Sequence, residues 1–335
     1  SPFQWQRLQS EWAVPAWQRG LAAFTTTYLP LYQVYLKQRL RQIQPQVLHA
    51  HFANVGLRYL TMAQQLDLPL VVSFYGYDYE KLPHLFPKIR LQYQRLFEQA
   101  AAIITEGPHG ASMLEKMGCP AEKIRVIPLG IRPEQIPFQA QQKPVNRLRL
   151  IQAATYTEKK GHRYTLEAFY LALSDCPDLE LTLVGEVVDP DLFKSIQAFV
   201  DTKGLAERVH FIDFIAPDSF HQKLQAYDVF IQPSCYAEDR DCEGGAPVAL
   251  LDAQASGVPV IATTHCDIPF EVRHEQSGLL SPEKDILALA ESIRRFYRMG
   301  PEEFAGFSRN ARKQVETHFN VAKSGAKLAS LYKEL

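Results

Sequence analysis

Short apolar runs alternate along this chain with longer stretches whose apolar positions recur at helical spacing. Early in the chain Val47–Ala53, Pro69–Phe74, Ala102–Thr105 and Ile124–Pro128 read as buried strands, each a brief apolar run bounded by turn residues. Between them Leu57–Leu66, Lys88–Ala101 and His109–Met117, the last stopped by Gly118, read as helices, and the basic amphipathic Leu31–Ile43 as a helix before them. Tyr79–Phe86 shows neither period and reads as a loop. Residues 1–30, rich in Trp, Tyr and Phe, read as irregular or helical. Further on, strands are expected at Leu148–Ala154, Leu181–Val184, His210–Phe214, Val229–Gln232 and Val258–Ala262. Helices are expected at Tyr164–Leu173, Leu192–Thr202, Phe220–Ala226, Val248–Ser256 and Ile286–Met299, with two more after Pro301. Strand–helix alternation of this kind predicts parallel sheets with helices on both faces.

A length of 335 residues suits two domains. Spaced prolines without an apolar period mark 132–146 as a connection. The predicted division is an N-terminal domain at 1–135, a linker at 136–146, a C-terminal domain at 147–305 and closing helices at 306–335. The fold class expected is α/β, with two doubly wound, Rossmann-like domains whose strand carboxyl ends face a central cleft. Pro233–Gly257 is the stretch the rest is built to present. Asp228–Pro233 is a strand, Ser234–Gly245 an acid-rich loop ending in two glycines, and Pro247–Gly257 an Ala-rich helix. Unpaired N–H groups at that helix start, with the helix dipole, favour a phosphate. Asp252, about a turn and a half into the helix, is within reach of a ribose.

Composition is that of an ordinary globular protein, 46% apolar and 22% charged, and a net charge of −1 makes nucleic acid no obvious partner. The charge is uneven: residues 1–145 hold 15 Lys and Arg against 9 Asp and Glu, the remainder 21 against 28. A basic first half suits an anionic acceptor or a membrane surface, or is simply a solvated face. Five scattered cysteines without metal-ligand spacing point to a reducing compartment. No run approaches the ~18–20 apolar residues that span a bilayer, and no signal peptide is visible. A chain opening on Ser1, partway into a domain, leaves room for a lost N-terminal segment.

The runs VIPLGI (Val126–Ile131), KKGH (Lys159–His162), LVGE (Leu183–Glu186), AYDVFIQPS (Ala226–Ser234) and EGGAPVALLDAQASGVPVIAT (Glu243–Thr263) stand in the order and spacing of glycosyltransferase family 4. Over residues 45–335 the chain resembles that family, SGLL (Ser277–Leu280) and the tail included. The EGGAP and FYGYD variants place it nearest to members that build bacterial exopolysaccharide and lipopolysaccharide. The resemblance implies a GT-B fold and a retaining, nucleotide-sugar-dependent reaction. It places the donor on the C-terminal domain and the acceptor on the N-terminal one, with no obligatory metal ion or other cofactor. It also implies a C-terminal helix that crosses back to the first domain. The family's opening strand and Gly-rich loop are not visible here, so the N-terminal domain reads as incomplete.

Transfer from a nucleotide sugar breaks an anomeric C–O bond to a diphosphate, whose charge needs cationic side chains and N–H donors where no metal serves. The resemblance gives that task to Lys160 in the KKG turn; the competing reading is a solvated loop lysine. The family's Arg five positions earlier is Thr155 here, which offers a hydroxyl but no charge. Arg163 and Lys159 are the nearby basic residues that would compensate. Family members carry two acids eight residues apart, one on the donor sugar and one on the ribose. Asp252 matches the second, but eight before it stands Gly244, and Glu243 is nine before. A Gly244–Gly245 turn absorbs the extra residue, because glycine accepts positive φ. Gly185, Gly244, Gly245 and Ala246 complete the donor set, while Glu238, Asp239 and Asp241 read as a solvated acidic loop. His49 and His51 share one strand face; His51 matches the family histidine near the reacting sugar and His49 a hydrogen-bonded core histidine. Gly76, Tyr77 and Asp78 are candidate acceptor contacts, with capping the alternative for Asp78. Glu271 reads as an acid capping a helix start. The catalytic set expected is His51, Glu243 and Lys160.

The expected partners are a nucleotide-diphospho-sugar, UDP or GDP, and a glycan or lipid-linked acceptor. The expected location is cytoplasmic, with peripheral association on the inner membrane face if Lys37–Arg41 and Lys88–Arg95 dock there and are not merely solvated. Two alternatives stand: another GT-B enzyme such as a sugar-nucleotide epimerase or a phosphorylase, or a non-catalytic nucleotide-sugar binding module.

Overall fold

The computed structural model describes residues 30–142 and 146–335; the reading of the segment before residue 30 lies outside them. The first lobe runs α1 (Pro30–Ile43), β1 (Leu48–His51), α2 (Ala53–Gln65), β2 (Leu70–Ser73), α3 (Leu82–Leu85), α4 (Ile89–Gln99), β3 (Ala102–Thr105), α5 (Pro108–Lys116) and β4 (Ile124–Val126). Its parallel strands lie in sequence order, β1-β2-β3-β4. Crossovers that all advance in one direction, each right-handed, put their helices on one face. Period-two alternation divides the strands accordingly. Val72 and Ile103 pack with Leu60, Tyr93 and Phe97 of the crossover helices. Val71, Ala102 and Ile104 point to the opposite face and pack with Leu328 and Leu331 from the end of the chain. Tyr79–Phe86 is not the loop expected. Tyr77–Lys81 form a π-helical turn that runs straight into α3. Burial of Asp78, Tyr79 and Glu80 anchors that turn, and tertiary anchoring of this kind leaves no trace in apolar period.

The second lobe follows as β5 (Leu148–Ala153), α6 (His162–Ala172), β6 (Leu179–Val184), α7 (Pro190–Thr202), β7 (Val209–Ile212), α8 (Pro217–Leu224), β8 (Val229–Gln232), α9 (Val248–Ala255), β9 (Val260–Thr263), α10 (Ile268–Glu271), β10 (Gly278–Ser281) and α11 (Ile286–Arg298). It has six parallel strands where five were expected; the SGLL run is the sixth. The order β10-β9-β8-β5-β6-β7 is that of a Rossmann sheet, with the direction of winding reversing between β5 and β8. Asp228, at the foot of β8, fixes that central pair. Its carboxylate accepts the Arg149 backbone N–H at 2.7 Å and a guanidinium N–H at 3.1 Å.

Two helices close the chain, α12 (Pro301–His318) and α13 (Val321–Glu334). α12 packs on α9, and α13 returns to the first lobe, where Tyr332 Oη meets His49 Nδ1 at 2.5 Å. The crossing is stitched by Ile131 N–H to Phe319 O (2.9 Å) and Val321 N–H to Ile131 O (2.8 Å). Among the described residues no helix is long and apolar enough to cross a membrane.

Candidate active site

Where winding reverses, the loops after β5 and β8 part company and leave a crevice. The loop after β5 ends in a 3-10 turn, Glu158–Lys160, closed by Gly161 at φ 71°. Three ties fix it. Gln152, wholly buried in β5, donates Nε2 to Lys160 O at 2.7 Å and accepts Thr165 Oγ1 at 2.7 Å. Cys235 N–H donates to Lys159 O at 2.9 Å. A side chain at Gly161 would collide with the Pro233 carbonyl, so the two loops touch there. From this backbone Lys160 Nζ reaches Glu243 Oε2 at 2.7 Å, with 17% of the lysine and 6% of the glutamate side chain exposed. The second carboxylate oxygen accepts Ser234 Oγ at 2.8 Å and Gln232 Nε2 at 3.4 Å. The chain brings Glu243 to this position through Gly244, whose φ of 75° takes up the extra residue before Asp252.

Asp252 is the fifth residue of α9 and accepts from His221 Nε2, the fifth residue of α8, at 2.9 Å. Gly185 packs directly on the Ala154 carbonyl, so its contribution is close backbone approach beside Thr155. Ala246 packs into the apolar layer under α9. Of the basic residues near Thr155, Arg163 pairs with Glu167 at 2.8 Å and Lys159 with Asp241 at 3.0 Å.

The lobes meet on the same loop. A Cβ on Gly76 would lie 2.5 Å from Gly244 Cα, and one on Gly245 would strike Glu106. Lys81 Nζ pairs with Asp239 at 2.7 Å and Asp241 at 3.3 Å. Glu80 receives Arg240 Nη2 and Tyr236 Oη, each at 2.7 Å. Burial works against the Glu80 charge, yet bonds from His109, Arg240 and Tyr236 outweigh it and hold the carboxyl at about 2. Glu238 and Asp239 are exposed, as a solvated acidic loop should be, but the segment also carries ion pairs. Asp239 and Asp241 are held by lysines of both lobes.

On the first lobe a cavity of about 520 Å³ is lined by His49, His51, Tyr75, Glu106, Gly130 and Leu328, among others. The two histidine rings stack at 4.6 Å, confirming a shared face. His51 Nδ1 meets Tyr75 Oη at 2.7 Å, while His49 is held by Tyr332 and by Ser73 Oγ at 2.8 Å. Burial, with the neighbouring His51, pushes His49 down to about 4; burial also lowers His51. Burial and the Asp267 charge push Glu106 up to about 7.

Two expectations change. Asp78 is not poised for an acceptor, because its carboxylate is fully buried and accepts the N–H groups of Ala53 and Tyr75, each at 3.0 Å. Gly76 lies against Gly244, leaving Tyr77 as the exposed member of that trio. Glu271 lies in the single turn that makes up α10, where first and last turn coincide. It is buried with Oε2 unpartnered, and burial plus the charges of Glu106, Asp267 and Glu243 raise it well above the carboxylate range. Residues not foreseen include Glu106, Ser234, His221 and His265. Glu106 and His265 each follow a strand's carboxyl end, which is the signal that marks them. His265 Nδ1 bonds Glu283 Oε1 at 2.8 Å, and its Nε2 accepts the Glu243 N–H at 3.2 Å.

Residues 134–314 match the family described as glycosyl transferases group 1, and residues 10–135 match glycosyltransferase family 4. The amylovoran biosynthesis glycosyltransferase AmsK of Erwinia amylovora is 31% identical over 289 residues, 86% of this chain and 70% of that protein. Anabaena HepE, crystallised with UDP, superposes with a TM-score of 0.77 at 19% identity, covering 90% of this chain and 82% of that one. Sucrose-phosphate synthase from Thermosynechococcus elongatus gives 0.76 at 22% identity, covering 92% and 78%. Two parallel-sheet lobes, the switch-point crevice and these matches together place the chain in the group 1 and family 4 glycosyltransferases of GT-B fold, and it is a glycosyltransferase.

Proposed function

We propose that this chain moves a hexose-type sugar, with retention of anomeric configuration, from UDP- or GDP-sugar to a glycan or lipid-linked acceptor in surface polysaccharide synthesis. The observation that carries the reading is the Lys160–Glu243 pair at 2.7 Å in the switch-point crevice. Lys160 and the N–H groups at the start of α9 face a diphosphate and neutralise the charge that develops as it leaves. Glu243 accepts hydrogen bonds from the donor sugar, and Asp252, oriented by His221, from the ribose. The acceptor hydroxyl attacks on the leaving-group side. Its oxygen bonds the anomeric carbon as the bond to the diphosphate breaks, and a phosphate oxygen takes its proton. This scheme needs no divalent cation at the diphosphate and no protein base. His51 and Tyr75 lie on the acceptor side. The name of AmsK supports the polysaccharide role, and UDP in HepE supports a uridine donor. We infer a cytoplasmic reaction, at the inner membrane face if the basic Lys37–Arg41 and Lys88–Arg95 stretches dock there.

The test supplies the full chain with UDP- and GDP-hexoses and a lipid-linked glycan pool, and reads nucleoside diphosphate release and product anomeric configuration by NMR. Sugar transfer with retention is expected. Inversion would overturn the mechanism, an isomerised nucleotide sugar would point to an epimerase, and nucleotide binding without turnover would point to a binding module.

A further inference from the structure

Sequence spacing sets the five cysteines apart from any metal motif, but the fold gathers two of them with a histidine. The donor atoms of Cys242, His265 and Cys266 all lie within 4.8 Å of one another, and Cys266 Sγ sits 3.3 Å from His265 Nε2. Ligand atoms around a tetrahedral zinc are about 3.6 Å apart for S and N and about 3.8 Å for two S atoms, from Zn–S of ~2.3 Å and Zn–N of ~2.0–2.1 Å. Only small movements separate the cluster from that spacing. The histidine is already oriented. Glu283 Oε1 takes Nδ1 at 2.8 Å and is itself held by Tyr236 N–H through Oε2 at 3.0 Å. Such a carboxylate behind the ring fixes the tautomer and turns Nε2 to a metal. Cys266 adopts φ 46°, a conformation a non-glycine residue enters at a cost, and this turns its thiol toward the ring. Cys242 and His265 are buried while Cys266 is partly exposed, so the cluster has a way in from solvent.

We propose that Cys242, His265 and Cys266 form a binding site for a thiophilic divalent cation, zinc by its chemistry, with water in the fourth position. Binding releases one proton from each thiol, so two thiolates, a neutral imidazole and the dication sum to zero charge, as a buried site requires. The ion takes the Nε2 lone pair that otherwise accepts the Glu243 N–H, so occupancy is felt at the residue that pairs with Lys160. The site is separate from the diphosphate contacts and does not depend on the proposed transfer reaction.

The test uses the reduced, chelator-treated full chain titrated with Co²⁺ and then Zn²⁺. One equivalent of cobalt should give thiolate-to-metal absorption in the near ultraviolet, which one equivalent of zinc abolishes. Cys242→Ser and Cys266→Ser should each lose that absorption, and Cys119→Ser should keep it. Glu283→Gln should weaken cobalt binding by ~10–100-fold while the band persists at saturation. Thermal melting confirms that each variant folds; if Cys242→Ser does not, the partly exposed Cys266→Ser decides. Absence of a stoichiometric band in the wild-type chain, or its survival in Cys266→Ser, overturns the site. A Cys242–Cys266 disulfide that forms in air despite added zinc also overturns it, marking a redox pair.

Discussion

Replacing Lys160 by Met tests the switch-point pair directly. At 2.7 Å and an effective dielectric near 20, the attraction in the pair is about 6 kcal/mol before desolvation is subtracted. Desolvation offsets most of it, but losing one partner leaves a buried carboxylate uncompensated, at a cost of about 3–5 kcal/mol. Ser234 and Gln232 still donate to Glu243, so Lys160→Met should fall at the lower end, near ~3 kcal/mol in urea unfolding. Glu243→Gln alone strands the ammonium, and the double variant strands neither. The double change should therefore cost less than the two single changes added, with a coupling of about 1–3 kcal/mol. Ligands separate the roles. Lys160→Met should weaken UDP by about 10–150-fold, the loss of one charge-assisted contact of about 1.5–3 kcal/mol. Glu243→Gln should leave UDP unchanged or tighter, since the carboxylate competes for Lys160, yet lose affinity for UDP-sugar. Calorimetric titration reads both. An additive cycle would refute the coupling of the pair, and full UDP affinity in Lys160→Met would refute the assignment of the diphosphate to this lysine.

Gly244→Ala should destabilise more than Gly204→Ala. Both sit at positive φ, worth about 1–2 kcal/mol for alanine, but only Gly244 abuts the other lobe, while nothing lies within 4 Å of Gly204; comparative melting measures the difference. Burial raises Asp78 from 3.8 to about 7, so the folded chain holds a proton there that the unfolded chain has released. Its contribution is present below pH ~4 and lost as pH rises to ~7, on the order of 4 kcal/mol, and Asp78→Asn should flatten the stability profile across that window. Arg240→Ala should cost about 1 kcal/mol or less, because the arginine side chain is 44% exposed and Glu80 keeps Tyr236 and His109; small-angle scattering should show the lobes opening further.

The sheets were legible because buried parallel strands announce themselves as apolar runs, and Val71–Val72 or Ile103–Ile104 need no partner to be recognised. The KKG turn and the EGGAP loop were legible for a related reason. Glycine at 161 and at 244 marks backbone that other residues resist, at φ 71° and 75°. Contacts between distant segments were not legible. Asp78 bonds a residue 25 positions away and Lys81 one 160 away, and no local period encodes either. The π-turn at Tyr77–Lys81 leaves no sequence signal on the same ground. α10 is a single turn, Ile268–Glu271, too short to carry a period, so nothing local signals that the Glu271 carboxylate is buried without a partner for Oε2.

One loop serves three duties, and that couples them. Ser234 and Glu243 face Lys160 inside the second lobe, Tyr236, Asp239 and Arg240 reach Glu80 and Lys81 of the first, and Cys242 turns to His265. Ten residues of chain span all of these contacts, from Ser234 to Glu243. Separating the lobes must break Glu80–Arg240 and Lys81–Asp239, and the released segment ends on the carboxylate that faces Lys160. Since Glu80 is buried and triply bonded, the closed arrangement holds Glu243 in place through the neighbouring lobe. A donor that draws Lys160 from Glu243 therefore alters the same segment that closes the cleft. Reciprocity of coupling then requires that loosening the lobe contacts change donor affinity by the same factor by which the donor changes closure, without any change in a group that touches the donor.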